Sequence, residues 1–357
     1  MNYYRNSCSV LLLFLPAVTW ADLPKPTGDS ILSPDAKLEL IHKRNSDLKG
    51  GLTEGPAVAP DGTIYFTDIP FGKQYGMILR FDPDTGETTL FTDRSRKANG
   101  LAFDAAGYLV ACEGADYGGR AVTRWDPKTG KRTVIADRYQ GKKFNAPNDL
   151  CLDRAGNIYF TDPKYLGHER RELAHRAVYR IEPNGNVTEV THDVSKPNGI
   201  ALSPDGKTLY VVDHDNGTDS IGASDKPLKL GPMKVYAFPL GTDGNVQGPR
   251  RTLVDFGKEA GCDGIAVDEQ GNIYLTARQL SRPGVLVIDP DGNEVAFIPT
   301  GQPNQAGDDP KNPPVGRPSN VEFGLGEESN VLYITADTNL YRFPLKVNGY
   351  HVHHISP

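Results

Sequence analysis

PNDLCLDRAGNIYFTD at 147–162 decides the fold. A polar residue, Asn148, is followed by the alternating Leu150 and Leu152, a Gly156-centred turn, and a second apolar run through Tyr159. The phrase returns as TEGPAVAPDGTIYFTD (53–68), ANGLAFDAAGYLVACE (98–113), PNGIALSPDGKTLYVVD (197–213), CDGIAVDEQGNIYLTA (262–277) and, in a divergent copy, PSNVEFGLGEESNVLYITA (318–336). Each copy opens on a side-chain oxygen: Glu54, Asn99, Asn148, Asn198, Asp263 and Ser319. A repeated scaffold therefore sets an oxygen at one equivalent position in every unit.

Between the copies lie second pairs of alternating runs, such as ILRFDPDTGETTLF (78–91), VTRWDPKTGKRTVI (122–135) and VLVIDPDGNEVAF (285–297). Period-two alternation around Asp-Gly, Asn-Gly or Thr-Gly is a hairpin pattern, because these turns need positive φ. Each unit reads as a four-stranded antiparallel meander. Sheets of this kind bury both faces only by stacking around an axis, which predicts an all-β, six-bladed β-propeller; a double-sheet sandwich would leave the repeat unexplained. Helical periodicity is absent. The last blade takes LYRFPL (340–345) as its third strand. For its outermost strand the sequence leaves two choices open, KLELIHK (37–43) or a local hairpin through VNGYHVHHI (347–355).

Strand direction separates two faces. The Gly-centred turns share one; the opening residues and the long connections at 69–77, 114–121, 163–177, 214–233 and 299–318 share the other. Variable loops over a rigid scaffold are where binding resides.

Arg5, the apolar run Val10–Val18 and Thr19-Trp20-Ala21 have the layout of a secretory signal peptide, so 1–21 is expected to direct export to the periplasm or the extracellular space. Residues 22–36, with Pro24, Pro26 and Pro34, read as a linker, and 37–357 as one domain. No later run approaches the roughly 20 apolar residues of a membrane span. With 39 basic and 45 acidic residues, a formal charge of -6 and no basic block, nucleic acid is not an expected partner. Cys8 leaves with the signal, and Cys112, Cys151 and Cys262 fall in inner strands, where a thiol behaves as a small hydrophobe.

In a propeller the first strand of each blade lines the central channel, so the six opening residues should face the axis. Carboxylates and amides crowded there are costly without a cation. The donors are hard oxygens without His or Cys, which favours Ca²⁺ over other divalent ions such as Mg²⁺, Mn²⁺ and Zn²⁺.

TEGP, the paired PND and PNG phrases and CDGIAVD, in that order across 37–346, resemble the regucalcin and gluconolactonase (senescence marker protein-like) family of six-bladed propellers, related to diisopropyl-fluorophosphatase and more distantly to paraoxonases. The resemblance implies that Glu54, Asn148, Asn198 and Asp263 hold a divalent metal, with Asn148 also placed to contact substrate and Asp263 as base or nucleophile. Two departures bear on substrate: Ala146 stands where regucalcin-like members carry an Arg, and Cys112–Tyr117 lacks the His-containing phrase of many bacterial gluconolactonases. Arg120 in that loop is a candidate cation for the substrate, and Asn99 a second orienting amide. The implied activity is opening of a lactone, whose strained cis ester needs less activation than an open one. Phosphotriester hydrolysis on the same ion and a non-catalytic carbohydrate- or protein-binding propeller are the competing readings. Asp68, Asp162 and Asp213, which end second strands, read as structural more than as supports of the metal. His214 could assist proton transfer but reads first as a solvent-exposed loop residue, and the terminal His351, His353 and His354 read as surface residues. No GxSxG elbow is present.

Overall fold

The computed structural model describes residues 23–33, 35–44, 51–219, 228–306 and 315–352. Residues 1–21, read as a signal peptide, lie outside these, as do His353 and His354.

Six four-stranded antiparallel sheets form the blades. From the axis outward, blade 1 is Leu52–Val58, Ile64–Ile69, Met77–Asp82 and Glu87–Thr92, and blade 2 is Ala98–Phe103, Leu109–Glu113, Ala121–Trp125 and Arg132–Ala136. Blade 3 is Leu150–Leu152, Ile158–Asp162, Ala177–Ile181 and Val187–Thr191, and blade 4 is Pro197–Leu202, Thr208–His214, Met233–Pro239 and Arg251–Asp255. Blade 5 is Cys262–Val267, Ile273–Ala277, Gly284–Ile288 and Glu294–Pro299. Blade 6 is Pro318–Phe323, Val331–Ala336 and Asn339–Pro344, completed by Glu39–Lys43 from the other end of the chain. That pairing settles the closure left open by the sequence: Glu39 lies opposite Arg342 and Lys43 opposite Asn339. Just beyond it Arg44 forms a buried ion pair with Asp68 of blade 1, fastening the seam. A two-stranded hairpin, Arg138–Tyr139 with Lys142–Lys143, and a 3-10 turn at Gly326–Glu328 complete the described elements.

The turns are built as the sequence demands. Asp153 Oδ1 accepts the N–H groups of Ala155 and Asn157, both at 2.9 Å, while Gly156 takes φ 80°. Asp104 and Asp268 repeat the device in blades 2 and 5. A short acidic side chain replaces the missing backbone partners and glycine supplies the left-handed residue.

Buried apolar side chains divide into six clusters, one between each pair of neighbouring blades. Period-two alternation in the second strands drives this. Tyr159 packs toward blade 4, whereas Ile158 and Phe160 on the same strand pack toward blade 2. Tyr65, Tyr210, Tyr274 and Tyr333 face their following blades in the same way. Each sheet is thus buried on both faces, which a single meander cannot achieve.

Both flanking segments dock on this ring. The stretch around Thr27, read as linker, exchanges backbone hydrogen bonds with Phe297 at 3.0 and 2.8 Å, and buries Ile31 and Leu32 between blades 5 and 6. Residues 346–352, instead of forming a hairpin, cross the turn face, with Tyr350 N–H on Val267 O at 3.0 Å and His351 Nε2 3.1 Å from Gly324 O. Tyr350, His351 and Val352 close the lower channel over a cavity of about 140 Å³ lined by Leu101, Leu150, Ile200 and Ile265. His351, expected at the surface, is therefore half-buried beside Glu322.

Candidate metal centre

The inner strands of blades 2, 4 and 5 carry a β-bulge at the opening residue. Pairing runs from Ala98–Glu113 to Leu101–Ala111, from Pro197–Asp213 to Ile200–Val211, and from Cys262–Ala277 to Ile265–Leu275. Asn99, Asn198 and Asp263, with the glycine after each, are the residues released. A bulge re-aims a side chain without ending the sheet. Blade 1 shifts between Glu54 and Ala57, and blade 6 between Pro318 and Asn320.

The residue after each opening position is Gly55, Gly100, Asp149, Gly199, Gly264 and Asn320 around the ring. The glycines let neighbouring backbones touch near the axis: a Cβ on Gly100 would sit 2.3 Å from Asp149 Oδ1, and one on Gly264 2.1 Å from Asn320 Oδ1. The two larger side chains come from opposite blades, and Asn320 Nδ2 donates across the channel to Asp149 Oδ2 at 3.4 Å. They floor the site from below.

Threonines of the second strands lock the opening residues from the side. Thr67 Oγ1 donates to Asn99 O at 3.1 Å, Thr161 Oγ1 to Asn198 O at 2.8 Å, and Thr276 Oγ1 to Ser319 O at 3.0 Å, always into the next blade. The aspartates ending those strands hold the approach. Asp162 accepts the N–H groups of Asn145 and Ala146, both at 2.7 Å, and Asp213 those of Ser195 and Lys196 at 2.9 and 2.8 Å. Pro147 and Pro197 follow, lacking an N–H, so one carboxylate satisfies both remaining donors before Asn148 and Asn198.

Glu54, Asn148, Asn198 and Asp263 are buried, and Asn99 is half-buried. Glu54 is pushed well above its ordinary range by burial and then by the nearby charges of Asp263 and Asp149. Burial also lifts Asp149 to about 7, with Asp263 adding to it. The carboxylates of blades 1, 3 and 5 thus feel one another across the channel. Asn198 Nδ2 donates to Tyr165 Oη at 3.1 Å, turning its carbonyl oxygen away from the phenol. Asn148 Oδ1 is buried with no hydrogen-bond partner. Close acidic oxygens with an unsatisfied amide oxygen form a hard donor set, and a divalent cation such as Ca²⁺ fits it.

Ser319 does not join this set. Its Oγ donates to Thr53 O at 2.7 Å, tying blade 6 to blade 1, and Asn320 takes its place at the axis. Arg120 is turned onto loop backbone: Nε donates to Phe144 O at 2.7 Å, and Nη1 lies 3.8 Å from Glu172. His214, read first as a solvent-exposed loop residue and second as an aid to proton transfer, sits beside the centre. Its Nδ1–H donates to Cys262 O at 2.7 Å, its ring meets Tyr165 edge-on at 6.2 Å, and burial lowers its pKa, leaving Nε2 as a free base. Cys112, Cys151 and Cys262 are free thiols whose pKa values burial raises, as inert core residues.

Sequence reasoning missed Arg278 and Arg317. Arg278 Nη1 lies 3.1 Å from Asp263 Oδ2, and Arg317, lowered to about 10 by burial and by Arg278, completes a cationic corner balanced by Asp263 and Asp337. Both lie just past strand ends on the loop face, where no repeat marks them. Strain collects on that face too: Arg96, Lys97, Asp116, Tyr117, Arg120 and Lys164 all have φ between 49° and 78°.

Residues 52–338 match the SMP-30/gluconolactonase/LRE-like region. A gluconolactonase of Zymomonas mobilis is 31% identical over 91% of this chain and 85% of its own. A solved gluconolactonase of Xanthomonas campestris is 30% identical, covering 91% of this chain and 96% of that one, with a TM-score of 0.69. The regucalcin of Agrobacterium tumefaciens, a calcium-binding protein at 19% identity, shares the fold over 87% of this chain and 94% of its own, with a TM-score of 0.62. The repeat, the six-bladed ring and these matches together assign the chain to the SMP-30/gluconolactonase/LRE-like family of propeller proteins.

Proposed function

We propose that the chain is an exported hydrolase that opens lactones at the axial oxygen cluster, with a divalent cation, Ca²⁺ first among them, held by Glu54, Asn148, Asn198 and Asp263. The observation that carries this reading is the buried, unpartnered Asn148 Oδ1 beside mutually repelling carboxylates. The gluconolactonases among its relatives support the substrate class.

Glu54, Asn148, Asn198 and Asp263 would hold the cation, which would supply Lewis-acid polarisation of the ester carbonyl and stabilisation of the charge developing on its oxygen. The protein does the rest. Asn99 and Asn148 orient the ring of the substrate through their amides. Asp263, with Oδ2 engaged by Arg278, takes a proton from the attacking water as that water adds to the carbonyl carbon. His214, neutral and adjacent, passes that proton onward to the ring oxygen as the C–O bond breaks, giving the hydroxy acid. Arg120 acts at one remove, fixing the Phe144–Asn145 backbone that leads into Asn148.

The test is proton release by purified protein with a panel of aldonolactones and simple lactones in added CaCl₂. Turnover that disappears in a folded Asp263→Asn variant supports the reading; a wild-type protein inert toward every lactone, or active only on phosphotriesters, overturns it.

A further inference from the structure

Away from the axis, blade 3 brings together His175, Glu189 and His192, one ligand atom of each lying within 4.8 Å of the other two. His175 ends the 163–176 loop, Glu189 is on the outermost strand Val187–Thr191, and His192 follows that strand. All three lie at the loop-face rim. The rings of His175 and His192 stack with centroids 4.0 Å apart and planes 29° apart. Both aim Nδ1 at one carboxylate oxygen: Glu189 Oε1 is 2.6 Å from His192 Nδ1 and 3.6 Å from His175 Nδ1.

Three features hold the arrangement. A register shift between Val178 and Tyr179 sets Glu189 opposite Tyr179, whose buried phenol lies 3.5 Å from Glu189 Oε2. This is the kind of outer hydrogen bond that orients a ligating carboxylate. Asn145 Nδ2 donates to His175 O at 3.0 Å, anchoring the loop end to the segment before Asn148. The stacking fixes the two rings against each other.

We infer that His175, Glu189 and His192 form a second metal site, for Zn²⁺ or a similar borderline transition-metal ion, that clasps the 163–176 loop to the outer edge of blade 3. Two imidazole nitrogens and one carboxylate oxygen suit Zn²⁺, whose bonds to N and O are about 2.0–2.2 Å, so modest rotation of half-exposed side chains closes the set around one ion. They are a poor match for Ca²⁺, which the all-oxygen axial cluster prefers. The site leaves a coordination position to solvent. Its effect on the axis runs through the same loop, because Tyr165 on that loop holds Asn198. The clasp is independent of which ester the axial site opens.

The experiment uses chelator-stripped full-length protein, resupplied with excess CaCl₂ at pH 7.5 and titrated with ZnCl₂ by calorimetry and with CoCl₂ by visible absorption. Excess calcium occupies the axial cluster, so binding reports the rim. One equivalent of Zn²⁺ and the d–d absorption of imidazole-bound Co²⁺ are expected in the wild type. In His175→Ala/His192→Ala the affinity falls at least tenfold and the absorption vanishes, while hydrolysis in saturating calcium persists. Glu189→Gln, which keeps the shape, should weaken Zn²⁺ without unfolding the protein. Wild-type protein that takes up no Zn²⁺ under calcium, or a double variant that binds as the wild type does, overturns the site.

Discussion

Arg278 places one guanidinium nitrogen 3.1 Å from Asp263 Oδ2 and 2.8 Å from Pro318 O, so a single cation joins blade 5's carboxylate to the entry of blade 6. The same charge opposes any cation bound through Asp263. Removing it with Arg278→Met should tighten calcium binding at least about tenfold, since unit charges about 4 Å apart interact by about 4 kcal/mol at an effective dielectric near 20 and a third of that is already tenfold, and should lower the melting temperature of the calcium-free protein. Calorimetric titration and calcium-free thermal melts read the two effects, which move in opposite directions.

Thr161 Oγ1 donates to Asn198 O at 2.8 Å inside the blade 3–4 junction. Thr161→Val keeps the shape and strands that carbonyl, at a cost of about 1–3 kcal/mol in urea denaturation. Because Asn198 is a proposed ligand, calcium affinity should fall as well, whereas the same change at Thr123, which serves Glu113 within blade 2, should spare it.

Asp162 satisfies two backbone donors at the approach to Asn148. Asp162→Ala should cost at least about 2 kcal/mol, since hydrogen bonds to charged groups are worth roughly 1.5–3 each. Activity should fall chiefly through weaker metal and substrate binding, so kinetics at saturating calcium and lactone recover much of kcat while KM stays raised.

Glu322 faces the closed lower cavity, and burial raises its carboxyl from 4.5 to about 8. The folded chain keeps a proton that the unfolded chain gives up above about 4.5, so stability falls as pH rises from about 4.5 toward 8. Glu322→Gln removes that loss. Thermal melts of variant and wild type should coincide near pH 5 and diverge by several degrees at pH 8.5, the variant being the more stable.

The propeller was legible because its cause is local and repeated: alternating side chains, with Asp and Gly at the turns. The axial oxygens were legible for the same reason, since a repeat assigns Glu54, Asn99, Asn148, Asn198 and Asp263 to one structural place. What escaped the sequence depends on residues that break the repeat or lie far apart along it. Ser319 fits the pattern but spends its hydroxyl on Thr53 O, because the bulge in blade 6 moves Asn320 to the axis. Arg278, just after Ile273–Ala277, and Arg317, just before Pro318–Phe323, reach the site from loop ends whose path no periodicity encodes. The closing strand was one of two segments with the right alternation; the tail after Pro344 was taken instead by the turn face.

The central claim is that oxygens from separate blades hold one divalent cation, and calorimetric titration of chelator-stripped protein with CaCl₂ measures it directly. One equivalent should bind the wild type, with affinity reduced at least a hundredfold in Glu54→Gln and in Asn148→Ala while both variants stay folded. Binding of the same strength in both folded variants, or no calcium uptake by the wild type, would contradict it.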